Sequence, residues 1–193
     1  MENKSKAIYS VLGLVTLGMV FSLVVGLQGF NSQSNSVRNV ESTGIQYDAY
    51  VCNYVTRADG TVEDLGCSHN LLYNDGKDLI KTYLGDTGGS TDEVDQISLC
   101  NATAGCGVPV AGASEDYNEF TACGLAVGTG TYSSLGVGNW SIFNTFTSTC
   151  DSVEINATRL RNTASTNFAG NTFTLATLQT NDQITINWTI AVT

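Results

Sequence analysis

The sequence predicts a mainly β protein, an antiparallel β-sandwich of Ig-like or jelly-roll-like class with one short helix, preceded by an N-terminal apolar helix. Three patterns support this fold class. Residues 184–193 alternate Ile, Trp or Val with Thr, Asn or Ala, which is the period of a strand with one buried face. An Asp59-Gly60 pair, a strong hairpin signal, separates two strand-like runs. Residues 7–27 carry no charge and are long enough to cross a bilayer as a helix.

Residues 1–27 are predicted to be a signal peptide or a transmembrane helix. Lys4 and Lys6 precede the uncharged run and favour a cytoplasmic N-terminus, which places the rest of the chain outside the cell. The short basic leader and long apolar run also resemble type IV pilins and archaellins, although Val11 stands where that family usually has a glutamate. This resemblance implies a third fate for the segment, which is processing after Lys6.

The remaining chain is predicted to consist of a linker and one domain. Residues 28–46, rich in Gln, Asn and Ser, are the linker or N-terminal arm, and residues 47–193 form the disulfide-stapled sandwich. A helix is expected over residues 74–84, where apolar side chains recur at helical spacing, with Gly85 to end it. The last two strands, joined by a turn at 180–182, are expected to form a C-terminal hairpin. The expected strands are residues 47–57, 61–67, 118–127, 140–149, 152–160, 172–178 and 184–193, with a glycine-rich loop over 128–138.

The first hairpin gives a geometric test of disulfide pairing. If Asp59 and Gly60 alone form its turn, the numbers of opposed residues sum to 119, so Cys52 lies opposite Cys67 and within disulfide range. A three-residue turn would shift this register by one position.

The six cysteines all follow the apolar run, and an even number in an exported chain indicates three disulfides. A zinc site is the alternative, but the chain has no CxxC pair. Besides Cys52–Cys67, three connectivities are open, and Cys100–Cys106 with Cys123–Cys150 is preferred because it closes one tight loop and ties two strands. The four sequons that follow the apolar run predict N-glycosylation sites at Asn101, Asn139, Asn156 and Asn187, whereas a fifth, at Asn3, is expected to be cytoplasmic and unmodified.

The charge and the motifs of the chain predict that it is not an enzyme and does not bind nucleic acid. Its formal net charge of -10 would repel a phosphate backbone. The single histidine, His69, is typical of a polar structural residue, and the chain has no G-x-S-x-G or H-E-x-x-H motif. The carboxylate pair Glu115-Asp116 is interpreted as part of a solvated loop rather than as a glycosidase pair.

One cation site is predicted, and no other cofactor. Asp92, Glu93 and Asp95 place three carboxylates within four residues of a glycine-rich loop, and such oxygen ligands suit Ca²⁺. The spacing does not match an EF-hand loop, and a solvated charged loop is the alternative interpretation.

A second resemblance concerns the domain itself. Residues 57–62 (RADGTV), 68–72 (SHNLL) and 74–80 (NDGKDLI) present a DG hairpin, an HN-leucine step and a helix opening in that order. This order resembles β-sandwich domains of virus structural proteins, including tail-associated ones, and of archaeal surface proteins. The match covers about residues 50–85 and 170–193, implies a surface or filament role, and carries no site residue over.

The predicted function is structural or adhesive work at the cell surface, as the subunit of a pilus-like or thread-like filament or of a coat. The expected partners are further copies of the chain through strand edges, and the membrane through residues 7–27 where they are not cleaved. The alternatives are a secreted carbohydrate-binding or hydrolytic β-sandwich, with Trp140 and Tyr132 as sugar platforms, or a membrane-anchored virion or receptor-like surface protein.

Overall fold

Two five-stranded antiparallel sheets and one helix make up the computed structural model, which describes residues 46–85, 92–106, 108–110 and 118–193. Sheet 1 has the strand order β2-β1-β10-β7-β6 and sheet 2 the order β3-β9-β8-β4-β5. The elements are β1 (Tyr47–Thr56), β2 (Val62–His69), β3 (Leu71–Leu72), α1 (Asn74–Gly85), β4 (Val94–Cys100), a π-helical turn (Ala102–Cys106), β5 (Gly128–Thr129), β6 (Thr131–Gly136), β7 (Asn139–Thr147), β8 (Val153–Asn162), β9 (Asn167–Leu178) and β10 (Gln183–Val192). The predicted mainly β class with one short helix is confirmed, and the Ig-like or jelly-roll-like assignment stays a prediction.

The predicted N-terminal segments lie outside the described residues. This holds for the apolar run at 7–27 and for all of the 28–46 linker except Gln46. Over the described ranges, no helix combines the length and the apolar character that a bilayer crossing requires. Ile45–Thr193 form a compact unit of their own.

The core lies between the sheets and is built by the alternation that the sequence displays. On β10, the side chains of Ile184, Ile186 and Trp188 are fully buried. They face aliphatic side chains of sheet 2, including the fully buried Ile97 and Leu160. Each such side chain contributes about 1.5–3 kcal/mol through burial, which makes this interface the main source of the domain's stability.

The first hairpin confirms the Cys52–Cys67 disulfide but corrects its turn. The turn has three residues, 58–60, so the numbers of opposed residues next to it sum to 118. A β-bulge at Leu65-Gly66 then adds one residue to β2, and Gly66 takes a φ of 85°, which only glycine adopts readily. Beyond the bulge the sum returns to 119, and the Cα atoms of the two cysteines lie 4.0 Å apart. The Cys100–Cys106 and Cys123–Cys150 disulfides are confirmed as well.

The predicted C-terminal hairpin is wrong, because the last two strands lie in different sheets. β9 pairs with β8 and β3, whereas β10 lies between β1 and β7. The turn at 180–182 therefore carries the chain from one sheet to the other. Asp182 fixes this crossover by accepting hydrogen bonds from the N–H groups of Gln179 and Ala58, each at 2.9 Å, and from the Arg57 guanidinium at 2.8 Å. A Thr-Asn-Asp turn serves a hairpin and a crossover equally well, so the pattern did not separate them.

The glycine-rich segment 128–138, predicted to be a loop, forms strands β5 and β6 and a hairpin tip. Its glycines allow the backbone to pass between the edges of the two sheets. A Cβ at Gly130, for example, would collide with the Ile142 side chain, and the Gly130 N–H donates to the Asp95 carbonyl at 2.7 Å. The prediction of a loop from glycine content alone was therefore wrong, because these glycines allow neighbouring groups to approach the backbone closely and do not make the segment a loop.

The predicted strand at 118–127 is also wrong. Within this segment residues 122–124 form a turn, and Cys123 takes a φ of 61°, which a strand cannot accommodate. The Cys123 carbonyl accepts the Thr149 N–H at 2.9 Å, next to the disulfide that joins this turn to Cys150. Leu125 of this segment is nonetheless fully buried, and the Phe120 N–H donates to the Leu99 carbonyl of β4 at 2.9 Å.

Candidate binding groove

An apolar groove opens at the end of the sandwich where β1 begins and β10 ends. Its volume is about 920 Å³, and its walls come from sheet 1, helix α1, the start of β4 and Phe168 of β9. Gln46 and Thr193 exchange backbone hydrogen bonds of 2.8 and 3.0 Å at this end. Because Tyr47 lines the groove, the chain enters the described domain at its rim.

Helix α1 forms one wall of the groove. The helix begins against β9, where the Tyr73 N–H donates to the Phe168 carbonyl at 3.1 Å, and Gly76 lies so close to that carbonyl that a Cβ would collide with it. Its face carries Leu79 into the core and leaves Leu84 71% exposed at the groove. The apolar face of the helix is therefore wider than the part of it that is buried in the core, and its remaining apolar side chains lie at the groove.

Two tyrosines stiffen the groove. The Tyr47 ring packs edge-on against Phe168 with centroids 5.9 Å apart, and its hydroxyl accepts a hydrogen bond from the Asn70 amide at 2.7 Å. Burial raises the pKa of Tyr47 to about 12, against the opposing effect of that hydrogen bond. The Tyr83 hydroxyl donates to the Asp92 carbonyl, which joins the end of the helix to the start of β4. Burial, and then the charges of nearby carboxylates, raise the pKa of Tyr83.

The carboxylates of the predicted calcium site, Asp92, Glu93 and Asp95, lie along the rim of this groove. Within the described ranges, no three His, Cys, Asp or Glu side chains come together in an arrangement that could hold a metal ion, and the Ca²⁺ site stays a prediction. Asp95 is the extra residue of a β-bulge in β4, and its Oδ1 is buried without a hydrogen-bond partner among the described residues. Burial, and then the charge of Glu93, raise the pKa of Asp95.

The edge strand β6 continues the groove outward. β6 (TYSSLG) has no charged residue, and its Tyr132 side chain, which lines the groove, is 64% exposed. Leu135 near the end of β6 is half exposed, and Val137 in the following tip is fully exposed. The opposite edge of sheet 1, β2, carries Glu63 and Asp64, and charged side chains discourage strand addition. Both edge strands contain a register shift, so the difference between them is charge, and β6 is the uncharged edge of sheet 1.

The outer face of sheet 1 carries a second group of aromatic side chains. Tyr50 and Tyr54 on β1 and Phe143 on β7 are each about two-fifths exposed and flank the central strand β10. Tyr54 and Tyr50 lie opposite Thr185 and Thr189 of β10, and both threonines are buried although they lie on the outer face of the sheet.

The four sequon asparagines are all half-buried. Asn101 accepts the Thr103 N–H at 2.9 Å, and Asn156 accepts the Ala102 N–H at 2.6 Å, so both order the turn that contains Cys106. For Asn139 and Asn187, the amide oxygen is buried without a hydrogen-bond partner among the described residues. N-glycosylation stays a prediction at all four positions.

Of the remaining sequence candidates, Tyr132 and Trp140 line the groove, whereas His69 does not. His69 is exposed at the end of β2, where its Nδ1 lies 3.3 Å from an Asp48 carboxylate oxygen. Glu115 and Asp116 lie outside the described residues. Of the two suggested sugar platforms, Tyr132 is exposed, whereas Trp140 is half-buried and packs against the core.

The sequence reasoning identified some of the groove residues but not the groove. It singled out the rim carboxylates, Tyr132 and Trp140 separately, and the surplus apolar side chains of the helix were its only signal of a further surface. The walls come from segments more than 140 residues apart, from Tyr47 to Val192. Comparison with family models, curated proteins and solved structures finds no match for this chain.

Proposed function

We propose that this chain is a non-enzymatic, exported structural or adhesive subunit that self-associates into an extracellular filament or coat. The observation that carries the proposal is the apolar end of the sandwich, where the groove, the uncharged edge strand β6 and the exposed Val137 adjoin. An exposed apolar surface of this kind is typical of a protein that binds another molecule. In a chain of net charge -10, an uncharged edge is also where two copies can approach with little repulsion.

The disulfides support an extracellular setting. Three intramolecular disulfides are typical of proteins that fold and persist in oxidising compartments, such as the cell exterior. They also suit a load-bearing subunit, because each removes conformational freedom from the unfolded chain.

Filament growth requires a contact between two different surfaces of each subunit. A groove that receives another part of a neighbouring copy is such a heterologous contact, and it extends into an open assembly unless the rotation between copies closes a ring. A concave apolar site thus favours a filament over a symmetric dimer.

Negative-stain microscopy of the purified native material, combined with N-terminal sequencing, tests the proposal. We expect ordered filaments or sheets whose subunits begin near residue 7 or residue 28, or retain residue 1 if the anchor is kept. Monodisperse single particles at all concentrations would refute self-assembly.

Carbohydrate binding is the second candidate, and the outer-face aromatics favour it. Tyr50, Tyr54 and Phe143 present rings on one sheet face, and such rings offer apolar platforms to sugar faces. A glycan array separates the candidates: binding that is lost in Tyr50→Ala and Tyr54→Ala variants, together with the absence of filaments, would favour this function.

A further inference from the structure

The side chains of the groove are complementary to an occupant that is both apolar and basic. Its walls are aromatic and aliphatic, whereas its rim carries Asp92, Glu93 and Asp95. The buried Oδ1 of Asp95 has no hydrogen-bond donor among the described residues, and a buried acceptor without a donor costs free energy. A positive charge brought by the occupant to the rim would offset the negative charge of Asp95 and of its two acidic neighbours.

Every lysine and arginine side chain of the described domain already forms an ion pair or a hydrogen bond with another group of the domain. Arg57 pairs with Asp182 and Glu63, and Arg161 pairs with Glu119. The other three basic residues of the domain each donate to a nearby oxygen, on Asn74, Asp78 or Cys106: Lys77, Lys81 and Arg159. The chain has eight basic residues, so the remaining ones are Lys4, Lys6 and Arg38, all before residue 46.

Arg38 is the basic residue that stays in the exported part under every predicted fate of residues 1–27. It lies in the segment 28–45, next to Val37 and close to Val40. The segment also contains Glu41, so it is Arg38 with its neighbours Val37 and Val40 that combines a basic side chain with apolar ones, as the groove would require.

We propose that the groove of one copy binds the segment 28–45 of a neighbouring copy, with Val37 and Val40 against its apolar walls and Arg38 beside Asp95. The proposal deepens the proposed function and rests on it, since it names the contact by which copies join. The segment is long enough, because eighteen residues reach up to about 60 Å when extended. The chain enters each domain at the groove end, so the segment of one copy starts from the surface that the next copy must approach.

A charge-exchange experiment on the full chain tests the pairing. Arg38→Glu is expected to raise the concentration needed for assembly about tenfold, because it sets like charges together, and Asp95→Lys is expected to do the same. The double variant with both changes should recover most of the loss. The matched control combines Arg38→Glu with Asp64→Lys on the distant strand β2, which should recover nothing. Failure of the Asp95→Lys double variant to recover assembly, or equal recovery by the control, would overturn the proposal.

Photo-crosslinking gives a second readout that does not depend on whether the Asp95 variant folds. A benzophenone amino acid replaces the exposed Tyr132 in the full chain, and an equally exposed site at Val62 on β2 serves as the control. We expect a covalent dimer from position 132 only, with the crosslinked peptide mapping to residues 28–45 of the other copy. Crosslinks within one molecule, to another segment, or to no second copy would refute it. Filaments that form without this crosslink would refute the binding of segment 28–45 but not the proposed function. The absence of filaments from the wild-type chain would refute both hypotheses.

Discussion

At the residue scale, Asp182 is the clearest case of a side chain whose role follows from its contacts. Its carboxylate is almost fully buried at the crossover between the sheets and accepts hydrogen bonds from two backbone N–H groups and from Arg57. Burial alone would raise the pKa of Asp182, but these hydrogen bonds and the charge of Arg57 together hold it below its ordinary value. The ionised form is therefore stabilised by folding.

Asp182→Asn should lower the free energy of unfolding at pH 7 by about 2–3 kcal/mol, because it removes a charged acceptor from a buried network. A carboxyl whose pKa falls on folding stabilises the protein above its unfolded pKa and loses that effect as the pH drops through the folded pKa. Urea denaturation between pH 7 and pH 2.5 should thus show a steep acid decline in the wild type and a shallower one in the variant. Asp78→Asn, which alters an exposed ion pair with Lys81, should change little; an effect as large as that of Asp182→Asn would contradict this account.

At the element scale, the long strands with clear alternation could be predicted from the sequence, whereas β4, β5 and β6 and part of the strand pairing could not. The alternation in β10 and the β-branched run in β9 predicted two strands, yet their turn did not reveal that it crosses between sheets. The first hairpin gave the right disulfide because two deviations cancel: a longer turn and a bulge at Gly66. Neither leaves a pattern in hydrophobic periodicity, since both concern backbone conformation rather than burial.

Helix α1 supplies a matched pair of glycines for testing how it is attached. Gly76→Ala should destabilise the domain by about 1–3 kcal/mol, because the new Cβ collides with the Phe168 carbonyl on β9. Gly85→Ala, at the end of the same helix, meets open space and should be neutral. Thermal unfolding of the two variants checks this expectation; equal melting temperatures would mean that the helix moves away from β9 without cost.

The hairpin disulfide offers a test of a covalent link on the surface of sheet 1. Replacing both Cys52 and Cys67 by Ala should lower the free energy of unfolding by about 3 kcal/mol, as the loop-closure entropy for a separation of 15 residues predicts. Because neither side chain belongs to the buried core, the circular dichroism of the folded state should remain unchanged. A loss below about 1 kcal/mol would indicate that the unfolded hairpin is already constrained.

At the scale of the whole molecule, the sandwich has one apolar end and one polar end. The groove, β6 and the exposed tip lie where the chain enters, whereas the turns at 58–60 and 180–182 and the Arg57–Asp182 pair lie at the other end. The sequence could not predict this polarity, because the groove forms from segments that only the fold brings together. It could predict the disulfide-bonded β class, because cysteine number and alternation are local properties.

This polarity predicts that assembly depends on one end alone. Val137→Asp should reduce the assembled fraction several-fold, since it places a charge on the apolar tip. Val62→Asp adds the same charge to an exposed valine on β2, away from that end, and should assemble like the wild type. Sedimentation of both variants at equal concentration makes the comparison, and a loss of assembly in both would point to net charge rather than to position.

The neighbouring placement of β1 and β10 has a mechanical consequence. A pull on the chain through residue 46 against residue 193 would peel these two strands apart one hydrogen bond at a time, which is the weak direction for a sheet. The disulfide of Cys52 does not join β1 to β10, because it leads to β2, and within sheet 1 β2 pairs only with β1. Beyond Cys52, tension would therefore draw the β1–β2 hairpin away from β10 as one unit, so that the separation begins with a single strand and continues with a covalently linked pair.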